Sequence, residues 1–86
     1  MQIRFHHNFR KQFQKLNRRQ REKAEERLAT FIENPFDPVL RNHPLKGRYL
    51  DYRSIDLSGD LRAIYKYKSE NEAIFVILGK HSELYK

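Results

Sequence analysis

Near the end of the chain, an apolar run from Ala73 to Leu78 leads directly into Gly79-Lys80-His81, with Tyr85 four residues beyond. A second histidine stands far upstream, in His43-Pro44-Leu45-Lys46-Gly47. Two imidazoles beside cationic side chains suit one chemistry above others, the cleavage of RNA through its own 2′-hydroxyl. That reaction needs a base for the hydroxyl proton and an acid for the departing 5′-oxygen. It also needs a cation for the charge that builds on the phosphorane. Imidazole serves either proton role because it titrates near neutral pH. Arg62 or Lys46 can meet the phosphate, and arginine has the better geometry because its planar fork holds two oxygens. Tyr85 can stack on a base or orient a phosphate.

Each of these residues also has a plainer use. A loop histidine such as His43 can bond only to local backbone. Asp60 directly follows Ser58-Gly59 and can satisfy turn amides. Asp60 and Arg62 lie two apart on one strand, so they share a face, either as a structural ion pair or as paired site groups. His6-His7 reads as the approach to a helix. A metal site needs three or four convergent donors. His43, His81, Asp56 and Asp60 could supply them, but no short paired spacing supports it, so neither a metal nor a cofactor is expected.

The elements that must position these groups follow from periodicity. Gln2 to Phe5 alternates and reads as a first strand. Asn8 can cap a helix, and Phe9, Phe13 and Leu16 recur at helical spacing. Asn17 and the arginines after it interrupt that stripe. Ala24, Leu28, Phe31 and Ile32 then define a second apolar helical face, which reads as core. Pro35 and Pro38 close the second helix. Residues 39–47 read as a loop, and Arg48 to Leu57 as extended, although Tyr49, Tyr52 and Ile55 do not alternate cleanly. Ser58-Gly59 makes a tight turn. Leu61, Ala63, Tyr65 and Tyr67 take one side of the next strand, with Arg62, Ile64, Lys66 and Lys68 on the other. Ala73 to Leu78 reads as a strand buried on both faces. The predicted fold is α+β, in the order β-α-α-β-β-β. An N-terminal strand and an antiparallel helical hairpin pack on one face of a small, largely antiparallel four-stranded sheet, and the rest of the other face stays open.

The 86 residues allow one domain, 1–86, with a small core. The absence of cysteine removes disulfides and thiolate metal sites. Ala73 to Leu78 is the longest apolar run, far short of a membrane span. With no apolar leader, a cytoplasmic location is expected. Net charge is +7, and all of it resides in residues 1–48, which hold twelve Lys and Arg against five acids. The excess is concentrated from Arg10 to Arg27, which points to a polyanion or an acidic partner chain.

Three stretches together resemble the RelE/ParE toxin superfamily, and within it the YafQ-like toxins of bacterial type II toxin-antitoxin systems. They are His43 to Gly47, Tyr52-Arg53-Ser54-Ile55-Asp56-Leu57-Ser58-Gly59-Asp60-Leu61-Arg62-Ala63-Ile64-Tyr65, and Leu78 to Tyr85. The helical hairpin before them fits in order and length, so the resemblance covers nearly the whole chain. It implies an mRNA interferase, an endoribonuclease that enters the ribosomal A site, cleaves the message and stops translation. It also implies a cognate antitoxin, with operator DNA contacted only through that antitoxin. The family's catalytic positions fall on His43, Asp60 and His81, and its C-terminal aromatic on Tyr85, where phenylalanine is more usual. Arg62 matches an arginine of the wider RelE group. At Asp56 the sequence departs, since YafQ-like enzymes carry another histidine there. Lys46 and Asp56 are supporting candidates. The basic helical residues Arg10, Lys11, Lys15, Arg18, Arg19, Arg21 and Lys23 are candidates for ribosomal RNA. A ParE-like gyrase inhibitor is the alternative the same fold would serve, and an inactive antitoxin-binding relative is a third reading. The paired histidines favour the nuclease.

Overall fold

The computed structural model of the chain describes residues 1–84. Its helices begin where side chains take up the free amide hydrogens of the first turn. The His6 Nδ1 accepts the Asn8 amide at 3.1 Å, so α1 (His7–Gln14) starts just ahead of the expected Asn8 cap. Asn17, which interrupts the apolar stripe, caps α2 (Arg18–Glu33). Its Oδ1 accepts the Gln20 amide at 2.8 Å, and Gln20 Oε1 accepts the Asn17 amide at 3.1 Å. This reciprocal box sets the tight joint between the two helices. The second helix ends at Glu33, ahead of Pro35, and Pro38 opens a 3₁₀ turn, Pro38–Leu40.

Phe9, Ala24, Leu28 and Phe31 are buried, as their spacing predicts. Ile32 is not, being 42% exposed. At the helical repeat it lies about 80° around the axis from Ala24, at the flank of the buried stripe.

Five strands form the sheet: β1 (Gln2–Phe5), β2 (His43–Pro44), β3 (Arg53–Ser58), β4 (Leu61–Ser69) and β5 (Glu72–Lys80). Their spatial order is β1-β5-β4-β3-β2, with β1 parallel to β5 and every other pair antiparallel. The architecture is the α+β arrangement expected, with α1 against β5 and α2 against β3. It gains a fifth strand because His43-Pro44, inside the expected loop, pairs with Ser54 and Arg53. Proline is tolerated there because the strand lies at the sheet edge, where its missing N–H leaves no neighbour unpaired. A short helix, α3 (His81–Leu84), ends the described chain.

Arg48 does not begin a strand. Gly47–Tyr49 forms a 3₁₀ turn, with the Leu50 amide on the Gly47 carbonyl at 3.0 Å and the Tyr52 amide on the Tyr49 carbonyl at 2.9 Å. Extended structure starts only at Arg53, and the imperfect alternation of Tyr49 and Tyr52 is the sequence trace of that turn.

The core centres on Phe31, whose ring meets Tyr65 at 4.8 Å and Phe75 at 5.1 Å, both edge-on. Tyr65 is fully buried, and its hydroxyl accepts the Asn42 amide at 2.7 Å. Burial pushes this phenol far above its ordinary range and keeps it neutral. Beside it the ladder slips: Ile64 faces Ile77 and Tyr65 faces Phe75, leaving Val76 as an extra residue in β5. As a result Ile74, Val76 and Ile77 are half-buried on the face away from the helices, so the strand is not fully covered on both sides as expected. That far face is not wholly open either, since Ser54 and Ile64 are fully buried. Among the described residues no helix is long and apolar enough to cross a membrane.

The buried phenol gives a pH-dependent prediction. The folded state holds the Tyr65 proton more tightly than the unfolded chain, so stability falls as pH rises through the ordinary tyrosine range, near 10. Tyr65→Phe should cost about 1 kcal/mol at pH 7, where only a hydrogen bond is lost. The gap between wild type and variant should shrink towards pH 11, as measured by urea unfolding at both values.

Candidate active site

Residues that oppose one another in a sheet project to the same face, so strand register decides which side chains can meet. His43 opposes Ser54 across β2 and β3. Asp56 opposes Arg62 across β3 and β4, and Arg62 opposes Gly79 across β4 and β5. Ile55, Leu57, Leu61 and Ala63 point into the helix-covered core, which sends His43, Asp56 and Arg62 to the far face. The turn into α3 adds His81. Arg41, Asn42, His43, Asp56, Arg62 and His81 together line an open cleft of about 410 Å³.

Backbone geometry places His81. Gly59 supplies a positive φ of 46° for the β3–β4 turn, and the carbonyl of the next residue, Asp60, accepts the His81 amide at 2.7 Å. Glu83 Oε1 accepts the Lys80 amide at 2.9 Å. Gly79 lets α3 fold back over the strand end, since a Cβ there would sit 3.2 Å from the Leu84 side chain.

Asp56 and Arg62 form the centre of the cleft. Arg62 Nε lies 2.9 Å from Asp56 Oδ1, with both side chains largely buried, 16% and 18% exposed. Arg62 Nη1 donates to the carbonyls of Gly59 at 2.8 Å and Leu61 at 3.2 Å. The fork expected to clasp two phosphate oxygens is therefore partly engaged by the protein. Nη2 takes part in none of these bonds and is the edge available to a ligand. Arg41 Nε lies 3.7 Å from Asp56 Oδ2, so one carboxylate sits between two guanidinium groups. Where a third histidine was the family expectation, the chain has an anchor for cations.

His43 is fixed through its own neighbours. Its Nδ1 is 2.8 Å from the Arg41 carbonyl, which can only accept. Nδ1 therefore carries the hydrogen, and the neutral ring presents Nε2 as an acceptor. Asn42, between them, donates to the Pro35 carbonyl at 2.8 Å and to the Tyr65 hydroxyl, while its Oδ1 accepts Arg53 Nε at 2.8 Å. Arg41 itself has a φ of 50°, an uncommon conformation for a residue with a side chain.

The cleft thus gathers His43, Arg62, His81 and Asp56, and adds Arg41 and Asn42, which the sequence did not single out. Their only sequence signal is adjacency to His43. Asp60 is exposed and is not among the residues that line the cleft, and its backbone carbonyl holds the His81 amide. Lys46 is exposed, stands at the N-cap position of the 3₁₀ turn without a side-chain bond to it, and is not among the residues that line the cleft. Tyr85 lies outside the described residues. The helical cations Arg10, Lys11, Lys15, Arg18, Arg19, Arg21 and Lys23 belong to the other side of the sheet, where Arg18 pairs with Glu22 at 3.1 Å and Lys23 with Glu26 at 3.6 Å. Arg19 and Lys23 reach the sheet rim beside Ser58. Among the described residues no group of three or more His, Cys, Asp or Glu side chains converges as metal ligands would.

This fold is shared with several solved toxins. A metal-bound toxin from Helicobacter pylori is 34% identical, over 99% of each chain, with a TM-score of 0.69. YafQ from E. coli strain BL21(DE3) has a TM-score of 0.80 at 24% identity, over 98% of this chain and 97% of that one. The E. coli DinJ-YafQ toxin-antitoxin complex contains a chain with a TM-score of 0.73 at 24% identity, over 98% and 96%. No curated protein sequence matches. The class these structures define is the small toxin of a bacterial toxin-antitoxin pair. The family model for bacterial toxins of type II toxin-antitoxin systems, YafQ, matches residues 1–86, and the chain belongs to that family.

Asp56→Ala should free both arginines and leave Arg62 without its carboxylate. A loss of roughly 1–3 kcal/mol is expected, and Asp56→Asn should cost less because one acceptor oxygen remains. Urea unfolding of the two variants beside wild type measures the difference.

Proposed function

We propose that this toxin is an mRNA interferase, an endoribonuclease that cleaves messages in the ribosomal A site and is held inactive by a cognate antitoxin. Toxins of the YafQ and RelE families are endoribonucleases. The observation that carries the reading for this chain is the meeting of His43, Arg62 and His81 in one open cleft. His43 Nε2 takes the 2′-hydroxyl proton, the 2′-oxygen attacks phosphorus, and the bond to the 5′-oxygen breaks. His81 delivers a proton to that leaving oxygen. The products are a 2′,3′-cyclic phosphate and a 5′-hydroxyl end. Arg62 Nη2, with Arg41 beside it, meets the charge on the phosphorane, and Asp56 is a positioning residue that holds both guanidiniums. Asp60 acts through its carbonyl, by fixing the His81 amide. Tyr85 is assigned to stacking on a base.

DinJ bound to E. coli YafQ supports an antitoxin partner here too, and operator DNA would be met through that partner. The helical cations, on the side away from the cleft, suit ribosomal RNA phosphates while the cleft takes the message.

Replacing the exposed His81 by alanine should lower cleavage by roughly 10²–10⁴-fold with the fold intact. Primer extension on messages isolated after induction, with wild type and variant compared, reads the effect. Undiminished cuts in the variant, or inhibited DNA supercoiling with no cuts in wild type, would overturn the assignment. Alanine at both Arg19 and Lys23 should weaken ribosome binding and flatten its salt dependence by about two in log–log slope. Binding titrations between low and moderate salt measure that slope.

A further inference from the structure

The far face of the sheet carries a second cleft, of about 480 Å³, beyond the catalytic one. Its floor is apolar: Ile74, Val76 and Ile77, brought to one side by the extra residue in β5. Its wall is aromatic. Tyr49 and Tyr52 stand edge to face, with centroids 6.2 Å apart. Its rim is cationic, with Arg48 over the Tyr49 ring at 5.9 Å and the Lys66 ammonium over the Tyr52 ring at 5.4 Å, and Lys68 beyond. No carboxylate is among the residues that line it.

The geometry points to a subsite for single-stranded RNA, in which a nucleobase flanking the cleaved phosphate stacks on Tyr52 while Lys66, Lys68 and Arg48 take the adjoining phosphates. Three observations converge on this occupant. The tyrosine rings offer π-faces on which a base can stack when the flexible Lys66 side chain swings from the Tyr52 ring to a phosphate. A purely cationic rim complements a phosphate chain. The two clefts also lie along one strand: Arg62 and Lys66 both belong to β4, four residues or about 13 Å apart. A strand of RNA with its scissile phosphate at Arg62 therefore passes over Tyr52 within a few nucleotides. An acidic peptide would satisfy the rim, but it would leave the aromatic wall without a role. The inference rests on the interferase reading, because it takes the catalytic cleft as the place where the phosphate is cut.

A binding measurement that needs no cleavage tests it. The probe is a labelled 2′-O-methyl hexanucleotide, which lacks the attacking hydroxyl, titrated with the full-length toxin by fluorescence anisotropy. Tyr52→Ala should raise Kd roughly tenfold, while Tyr52→Phe, which keeps the ring, should leave it unchanged. Lys66→Ala, at an exposed position that cannot unfold the protein, should raise Kd severalfold and lower the salt slope by about one. A single abasic position walked along the probe should find one site where base removal costs wild type about tenfold and costs Tyr52→Ala nothing. An abasic penalty that persists in full in Tyr52→Ala would overturn the subsite, and so would a Tyr52→Phe variant as weak as Tyr52→Ala. A poly-glutamate peptide that loses binding in Tyr52→Ala and Lys66→Ala, while both variants bind the probe like wild type, would overturn it too and assign the cleft to a protein partner. If wild type never cuts messages but the abasic result holds, the catalytic reading fails and the RNA subsite stands.

Discussion

The pairing of β3 with β4 is the constraint on which the rest of the molecule depends. Ile55, Leu57, Leu61, Ala63 and Tyr65 fill the helix-facing core, and strand alternation then leaves Asp56 and Arg62 no place but the opposite face, side by side. A slip of one residue would drive both charges into the apolar layer, so the core holds the register and the register builds the cleft. The ion pair is in this sense a product of hydrophobic packing. Its own energy is modest, and its function is to fix where a guanidinium edge points.

A second link joins core to cleft through Asn42. Buried beneath it is the Tyr65 hydroxyl; beside it is Arg53; its own backbone leads into His43. Each polar atom of the Asn42 side chain has a partner, the condition under which a half-buried network rigidifies a structure. The segment that carries Arg41 and His43 is thus pinned to the same aromatic cluster that anchors α2. Asp56 completes the arrangement from the other strand. The carboxylate that stands where an imidazole was expected is occupied with two arginines.

Much of this was legible in the sequence, because it rests on local periodicity. Helical spacing exposed Phe9, Ala24, Leu28 and Phe31, and alternation placed Arg62 and Lys66 on one side of their strand. Ile32 was misjudged because a stripe has a width, and its flank is not its centre. The 3₁₀ turn at Gly47 and the two-residue edge strand at His43 were hidden because neither is long enough to show a period. The backbone contact of Asp60 was hidden for a different reason. A residue type advertises its side chain, whereas Asp60 contributes a carbonyl that every residue has. Arg41 escaped notice because its reach into the cleft depends on a left-handed backbone angle that no spacing rule marks.

The parallel pairing of β1 with β5 also has a consequence for the order of events in the cell. The sheet's interior position beside β1 is filled by residues 72–80, which follow the other four strands in the chain. Until that segment is free, Gln2 to Phe5 has no strand to join, α1 has no surface to cover, and His81 does not exist near Arg62. Such a long-range closure cannot proceed piecemeal from the N-terminus as synthesis advances. The N-terminal strand and α1 therefore wait for β5, and the cleft is complete only once β5 and the turn that carries His81 have joined the sheet.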